Sequence, residues 1–342
     1  MSTARINHQW RLKSRPVGLL KPDNFSYVSE PLPEPGEGQF LIRNVHLSLD
    51  PAMRGWVMDR PSYIPPVQIG EVMRGLAVGI VEKSHHPNFA AGDRVQGMFG
   101  WQQYLLSNGD RVMRLPESRL PFSAYLGLFG LAGLTSYVGL MEVGQPKIGE
   151  TLLVSGAAGS VGSLVGQIGK IKGLRVVGIA GTEQKCHWLR QELAFDAAVN
   201  YKDADYKQQL RAACPKGVDL YFENVGGEIL ETALDLMNTF GRVVVCGLIS
   251  QYNTTAAGPG PSNFVAVIIK RLKIQGFIAT DYYSKMQEMV SNFTQWHESG
   301  QLKYRVDIVR GLEAAPTAIN KLFDGSNHGK LIIQVSDPPS VS

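Results

Sequence analysis

The sequence predicts an α/β protein of two parts, a doubly wound parallel sheet and a β-rich lobe, and three observations carry that prediction. Apolar strands alternate with helical patterns between residues 151 and 277, the order that builds a parallel sheet with crossover helices. A glycine-rich turn, Gly156-Ala157-Ala158-Gly159-Ser160-Val161-Gly162, joins the first of those strands to its helix. Residues 20 to 115 instead show short apolar runs parted by turn signals such as Pro35-Gly36-Glu37-Gly38 and Ala91-Gly92-Asp93, the texture of an all-β unit. A chain of 342 residues is also long for one core, which agrees with two domains.

In the β-rich lobe, Val45, Leu47 and Leu49 alternate with His46, Ser48 and Asp50, the spacing of a strand with one buried face. No charge occurs between Arg119 and Glu142, a length that would span a bilayer. Gly127, Gly130, Gly133 and Gly139 in that stretch argue instead for a closely packed helix or domain junction. The strand Thr151–Val154 then enters the glycine turn, and Val161, Leu164, Val165, Ile168 and Ile171 keep helical spacing up to the stop at Gly173. A second strand, Arg175–Ala180, leads to a helix that Thr182 can cap, with Glu183 in its first turn. Further strands at Ala197–Val199, Val218–Phe222, Val243–Cys246 and Ile274–Phe277 bring the sheet to six. From Gly300 a strand near Val306–Val309, a helix near Leu312–Phe323 and a strand at Lys330–Val335 return to the first lobe. The expected boundaries are therefore 1–126, 127–299 and 300–342, with Ala256-Ala257-Gly258-Pro259-Gly260-Pro261 as a mobile loop.

Composition excludes several classes of function. With 44% hydrophobic and 19% charged residues the chain can bury a sizeable core, and its net charge of +4 is spread out, so neither a nucleic acid nor a membrane is an expected partner. Cys186, Cys214 and Cys246 stand far apart, which leaves no disulfide framework or zinc ribbon and suits a reducing compartment. The start, Met1-Ser2-Thr3-Ala4-Arg5, carries no apolar export signal. A cytoplasmic location is expected.

The strand–glycine turn–helix context turns a weak motif into a specific one: a Rossmann dinucleotide site. A pyrophosphate needs backbone N–H groups at close range. Gly159, Ser160, Val161 and Gly162, at the start of the helix, are the expected contacts. An NAD site usually carries an acidic residue at the end of the second strand, where this chain has Ala180-Gly181-Thr182. Without that carboxylate a 2'-phosphate is not repelled, and Lys185 can supply positive charge, so NADPH is the expected cofactor. Two points oppose this: Glu183 lies nearby, and Lys185 could be an ordinary exposed helix lysine.

Several ordered motifs together resemble the zinc-independent medium-chain dehydrogenase/reductase family, in the branch of curcumin, prostaglandin and alkenal double-bond reductases. They are Asp50-Pro51-x-Met53-Arg54-Gly55, the turn Gly156 to Gly162, Glu223-Asn224-Val225-Gly226-Gly227, Cys246-Gly247-Leu248-Ile249-Ser250-Gln251-Tyr252-Asn253, and Asn327-x-Gly329-Lys330. The resemblance implies a GroES-like β-rich catalytic domain interrupted by the Rossmann domain, an active site in the cleft, and a homodimer. It further implies that Lys185 and Tyr201 contact the 2'-phosphate and Asn224 the nicotinamide side. Cys246, Gly247, Leu248, Ile249, Ser250, Gln251 and Tyr252 would form the loop over the nicotinamide ribose, with Phe277, Ile278, Ala279 and Asn327 as further cofactor contacts. Plain alternatives stay open: Tyr201 as a packing residue, Asn224 as a turn residue and Asn327 as a loop asparagine.

The Cys/His/Glu ligand set of zinc alcohol dehydrogenases is missing, since no cysteine precedes residue 186 and His85-His86 read as a solvated pair. With no Lewis acid to polarise an alcohol, reduction of the C=C bond of an enone or alkenal is the expected reaction. Hydride addition to the β-carbon leaves an enolate oxygen to be stabilised. Tyr252 is the candidate donor, although it could merely pack on the cofactor. The sequence departs from related motifs at Ala52, where a pocket tyrosine is usual, while Tyr63 matches another pocket tyrosine; the smaller residue leaves room for a bulkier substrate. Arg54 reads as a residue that holds the two domains or the motif's own fold rather than one that touches substrate. A quinone reductase and a non-catalytic NADPH-binding protein are the competing functions.

Overall fold

The computed structural model describes residues 5–116, 120–256 and 258–338, so the first four residues, Arg119 and Ala257 of the expected mobile loop lie outside it. The chain divides into two compact units, Met1–Leu126 with Val306–Ser342, and Gly127–Arg305.

The first unit begins with β1 (Ile6–Leu12) and β2 (Phe25–Pro31), an antiparallel pair. There follow β3 (Phe40–Ser48), the single turn α1 (Met53–Trp56), β4 (Ala77–Ser84), β5 (Arg94–Gly97), β6 (Tyr104–Ser107) and β7 (Met113–Arg114). The alternation in β3 predicts one buried face, yet His46 and Ser48 are buried together with Val45 and Leu47. Of its buried polar side chains, Asn44 Nδ2 donates to the Gln102 carbonyl at 2.7 Å and Ser48 donates to Asp50, while Asn44 Oδ1 and His46 Nδ1 have no hydrogen-bond partner among the described residues. Burial holds the His46 imidazole down at about 4, so the ring is neutral inside the unit.

The second unit opens with α2 (Leu131–Val138), which runs into a π-helical turn at Gly139–Gly144. The charge-free stretch is thus broken into short helical pieces. Among the described residues no helix is long and apolar enough to cross a membrane. The alternation then reads β8 (Thr151–Val154), α3 (Ser160–Ile171), β9 (Arg175–Ala180), α4 (Glu183–Gln191), β10 (Ala197–Asn200), α5 (Tyr206–Ala213), β11 (Val218–Glu223), α6 (Gly227–Leu236), β12 (Met237–Val245), α7 (Ala266–Ile269), β13 (Lys273–Gly276) and α8 (Met286–Glu298). The six strands lie in the order β10-β9-β8-β11-β12-β13, all parallel. This is the doubly wound Rossmann order, with its reversal point between β8 and β11. Val177, Tyr221, Val243 and Leu210 lie in the core on one side of it.

The return comprises β14 (Val306–Arg310), α9 (Ala315–Ala318), α10 (Lys321–Asp324) and β15 (Lys330–Gln334). It completes a sheet ordered β14-β15-β3-β4-β5-β7, with β6 also paired to β3. Residues 300–305, expected with this return, belong to the second unit. The Gln167 side chain brackets the Lys303 backbone with bonds of 2.9 and 2.8 Å, and Leu302 N–H donates to the Trp296 carbonyl. The helix expected over Leu312–Phe323 is instead three short turns. In one continuous helix Pro316 would face the Leu312 carbonyl with no N–H to offer. That carbonyl accepts the Trp10 indole N–H at 2.9 Å instead.

Candidate functional site

All four residues of β8 are buried, and the chain turns at Gly156, whose φ of +57° favours glycine. Gly159 caps α3 without a side-chain hydrogen bond, so the first-turn N–H groups are not covered by a capping side chain. A Cβ on Gly162 would lie 2.5 Å from the Gly156 carbonyl oxygen and 2.8 Å from Ala157 Cα. The third glycine therefore lets helix and turn meet at backbone distance. Gly159, Ser160 and Val161 are half-buried at this edge.

At the end of β9, Thr182 caps α4 by accepting the Lys185 N–H at 3.2 Å, as its position predicts. The Tyr201 ring covers Gly181: a Cβ there would be 3.0 Å from the ring and 3.3 Å from its hydroxyl. Tyr201 N–H donates to the Ala180 carbonyl at 3.0 Å. Lys185 and Tyr201 thus gather at one strand end. The lysine is only 8% exposed, unlike an ordinary surface helix lysine. Glu183 faces away along the helix and pairs with Arg190 at 2.5 Å.

Beyond β11, Asn224 donates its backbone N–H to Ser155 Oγ at 2.8 Å and its side-chain amide to the Ser155 carbonyl at 2.7 Å. Its own carbonyl accepts the Ile249 N–H at 3.1 Å, and Ser250 Oγ donates to the Val225 carbonyl at 2.6 Å. These bonds tie the 246–252 loop to the turn after β11. Within that loop the Tyr252 hydroxyl accepts the Leu248 N–H at 3.3 Å and lies against Gly247, where a Cβ would come within 2.9 Å of it. Gln251, in the 3-10 turn Ile249–Gln251, is exposed.

A cavity of about 500 Å³ opens at this edge, lined by Cys246, Gly247, Leu248 and Tyr252 on one side and by Phe277 and Ile278 on the other. Ala279 is buried next to them. Burial beside Glu223 pushes the Cys246 thiol up to about 12, which keeps it protonated and unreactive. One acidic residue, Asp281, was not singled out from the sequence, and another, Glu223, was quoted in a motif without a role. Asp281 also lines the cavity, and Glu223 is wholly buried at the end of β11, accepting from Tyr221, Ser155 and Val225.

In the first unit, Ala52 precedes α1, packs against the core, and accepts the Trp56 N–H at 3.2 Å. Trp56 Nε1 donates to the Tyr63 hydroxyl at 2.9 Å, while the tyrosine remains 55% exposed. Ala52 and Tyr63 are thereby brought to the two ends of one tryptophan. Arg54 is buried and bonds the Gly18 and Pro16 carbonyls at 2.9 and 3.4 Å. It holds an adjacent loop. Asn327 is also in this unit, buried, with its amide donating to the Gly329 carbonyl at 3.0 Å. His86 Nδ1 accepts the Asn88 N–H and its ring packs edge-on against Phe40 and Phe89, so it is not a simple solvated histidine. Among the described residues no three His, Cys, Asp or Glu side chains are grouped to hold a metal.

Residues 8–115 match the family described as N-terminal domain of oxidoreductase, and residues 160–295 match the family described as zinc-binding dehydrogenase. The chain is 46% identical over 335 residues to NADPH-dependent curcumin reductase of Escherichia coli (strain K12), covering 96% of this chain and 97% of that protein. It is 39% identical over 337 residues to 2-alkenal reductase (NADP(+)-dependent) of Nicotiana tabacum, covering 96% and 98%. The crystal structure of CurA from Vibrio vulnificus in complex with NADPH superposes with a TM-score of 0.93 at 45% identity, covering 97% of this chain and all of that one.

Proposed function

Because the chain belongs to the medium-chain dehydrogenase/reductase family, we propose that it is an NADPH-dependent reductase of the C=C bond in α,β-unsaturated ketones and aldehydes. The observation that carries the reading is a cavity bounded by Tyr252, Cys246 to Leu248, and Phe277-Ile278. It lies at the C-terminal edge of a parallel sheet, the edge where Rossmann sheets receive a dinucleotide.

The residues fit NADPH. Gly156, Gly159 and Gly162 admit a pyrophosphate to the start of α3, and Lys185 with Tyr201 accounts for the 2'-phosphate at a strand end lacking a carboxylate. Asn224 and residues 246 to 252 would hold the nicotinamide half, Phe277, Ile278 and Ala279 its far side, and Asn327 would be a further contact. When bound, NADPH supplies the hydride. Reduction at the β-carbon builds negative charge on the substrate's carbonyl oxygen, and a neutral phenol placed there stabilises it. We assign that role to Tyr252. Its hydroxyl accepts from the Leu248 N–H, a bond that polarises the phenol toward donation. Ala52 and Tyr63 shape the substrate side, the former leaving space that a larger residue would fill.

We read the chemistry as metal-free because the donor set is missing: the chain's three cysteines all lie between residues 186 and 246, leaving the β-rich unit without a thiolate ligand. The free, widely spaced cysteines support a reducing cytoplasm. A homodimer is supported by β13, which among the described residues pairs only with β12 at the open edge of the sheet, and by exposed Phe264, Val265, Ile268 and Ile269 beside it. Steady-state NADPH oxidation with a small enone, an alkenal and a benzoquinone tests the function. Turnover of enone and alkenal at well above the quinone rate is expected; quinone turnover alone would replace the reading with a quinone reductase.

A further inference from the structure

Between β8 and β11 the sheet order reverses, so the chain leaves the two strand ends in opposite directions. Backbone pairing of these strands ends where Ser155 N–H donates to the Phe222 carbonyl at 3.1 Å. Past that point side chains continue the ladder. Asn224 N–H donates to Ser155 Oγ, so the Ser155 hydrogen must point elsewhere, and it meets Glu223 Oε1 at 2.6 Å. The same oxygen accepts Val225 N–H at 2.5 Å, while Oε2 accepts the Tyr221 hydroxyl at 2.7 Å. The Glu223 backbone carbonyl also receives Cys246 N–H at 2.9 Å and Gly247 N–H at 3.2 Å. Burial and the neighbouring carboxyl hold the Tyr221 phenol well above its ordinary value, so it stays a donor. One carboxyl group, fully shielded from water, therefore joins the residue before Gly156 and the Asn224–Val225 turn to β11, while the backbone carbonyl of the same residue holds the start of the 246–252 loop.

We propose that Glu223 is a positioning residue for the dinucleotide, its carboxyl group fixing the phosphate turn and the Asn224–Val225 turn in one arrangement before the cofactor arrives. The proposal rests on the NADPH reading above. Its physical basis is that a buried donor robbed of its acceptor must move or remain unsatisfied. In Glu223→Leu three donors lose their acceptor at once. Glu223→Gln can keep all three bonds, its amide oxygen facing Ser155 and Val225 and its NH2 facing a Tyr221 hydroxyl turned to accept.

The test is NADPH titration, followed by cofactor fluorescence, of the parent, Glu223→Gln, Glu223→Leu, Ser155→Ala and the Ser155→Ala/Glu223→Leu pair, with Tm measured alongside. Glu223→Leu is expected to raise Kd about ten- to a hundredfold and Glu223→Gln by less than about threefold. The double variant should lose less than the product of the two single losses, since both changes cut the Ser155–Glu223 bond. Should Glu223→Leu not fold, Ser155→Ala carries the test with an expected rise of about tenfold. A lowered Tm with unchanged Kd in the folded variants would overturn the proposal by making the role purely structural, and an equal loss in Glu223→Gln would overturn it by making charge the active property. A parent that fails to bind NADPH would reject the cofactor reading itself, whereas a parent that binds while its variants bind equally rejects only the positioning role.

Discussion

One phosphate separates NADPH from NADH, and we propose that Lys185 meets it at a strand end that lacks a carboxylate. A charge-assisted hydrogen bond contributes roughly 1.5 to 3 kcal/mol, so Lys185→Ala should weaken NADPH about ten- to a hundredfold while leaving NADH nearly unchanged. Equal losses for both cofactors, measured by titration, would remove the assignment. At the other end of the site, Tyr252→Phe deletes the hydroxyl but keeps the ring. Enone reduction at saturating NADPH should fall by about ten- to a thousandfold, and an unaffected kcat would move the donor role to water. Both residues were named as candidates from the sequence, but their surroundings were not legible there. From its spacing alone Lys185 could also be an exposed helix lysine, yet it is only 8% exposed. Glu183, a formal objection to a phosphate site, turns out to pair with Arg190 on its own helix. Glu223 stood inside a recognised motif without a role, because its partners Ser155 and Tyr221 come together only when β8 and β11 pair. No spacing announces such a contact.

At the scale of the element, strand, glycine turn and helix act as one unit. The β8–α3 junction was legible because its rule is local: apolar strand, three glycines, helical periodicity. Gly162→Ala offers a sharp check on why the third glycine is there. In an open helix such a change is stabilising by roughly 1 kcal/mol, but here the new Cβ would meet backbone atoms of Gly156 and Ala157 that have little freedom to yield. We expect a rise in NADPH Kd of about tenfold or more, against no change for Gly55→Ala, where a Cβ meets nothing within 4 Å. Unchanged binding in Gly162→Ala would show that the turn can relax. Elements governed by distant partners were less legible. The Leu312–Phe323 helix failed at Pro316, whose position invites Trp10 to take the Leu312 carbonyl, and β3 buries polar residues that alternation alone had assigned to solvent.

For the whole molecule, the parallel six-stranded sheet and the return of the chain into the β-rich unit followed from the order of the elements. Residues 300–305 did not, because their allegiance is decided by Gln167, a side chain on α3 far back in the sequence. An edge strand such as β13 likewise looks the same in sequence as an inner strand, so the surface that supports a homodimer came only from the fold. The central claim is that the protein delivers a hydride from NADPH to the β-carbon of an activated alkene. It is tested most directly by turning over a simple enone with NADPH dideuterated at C4 and locating the label in the product by NMR. One deuterium at the β-carbon of a saturated ketone is the predicted result; deuterium on a carbinol carbon with the C=C bond intact would contradict the account.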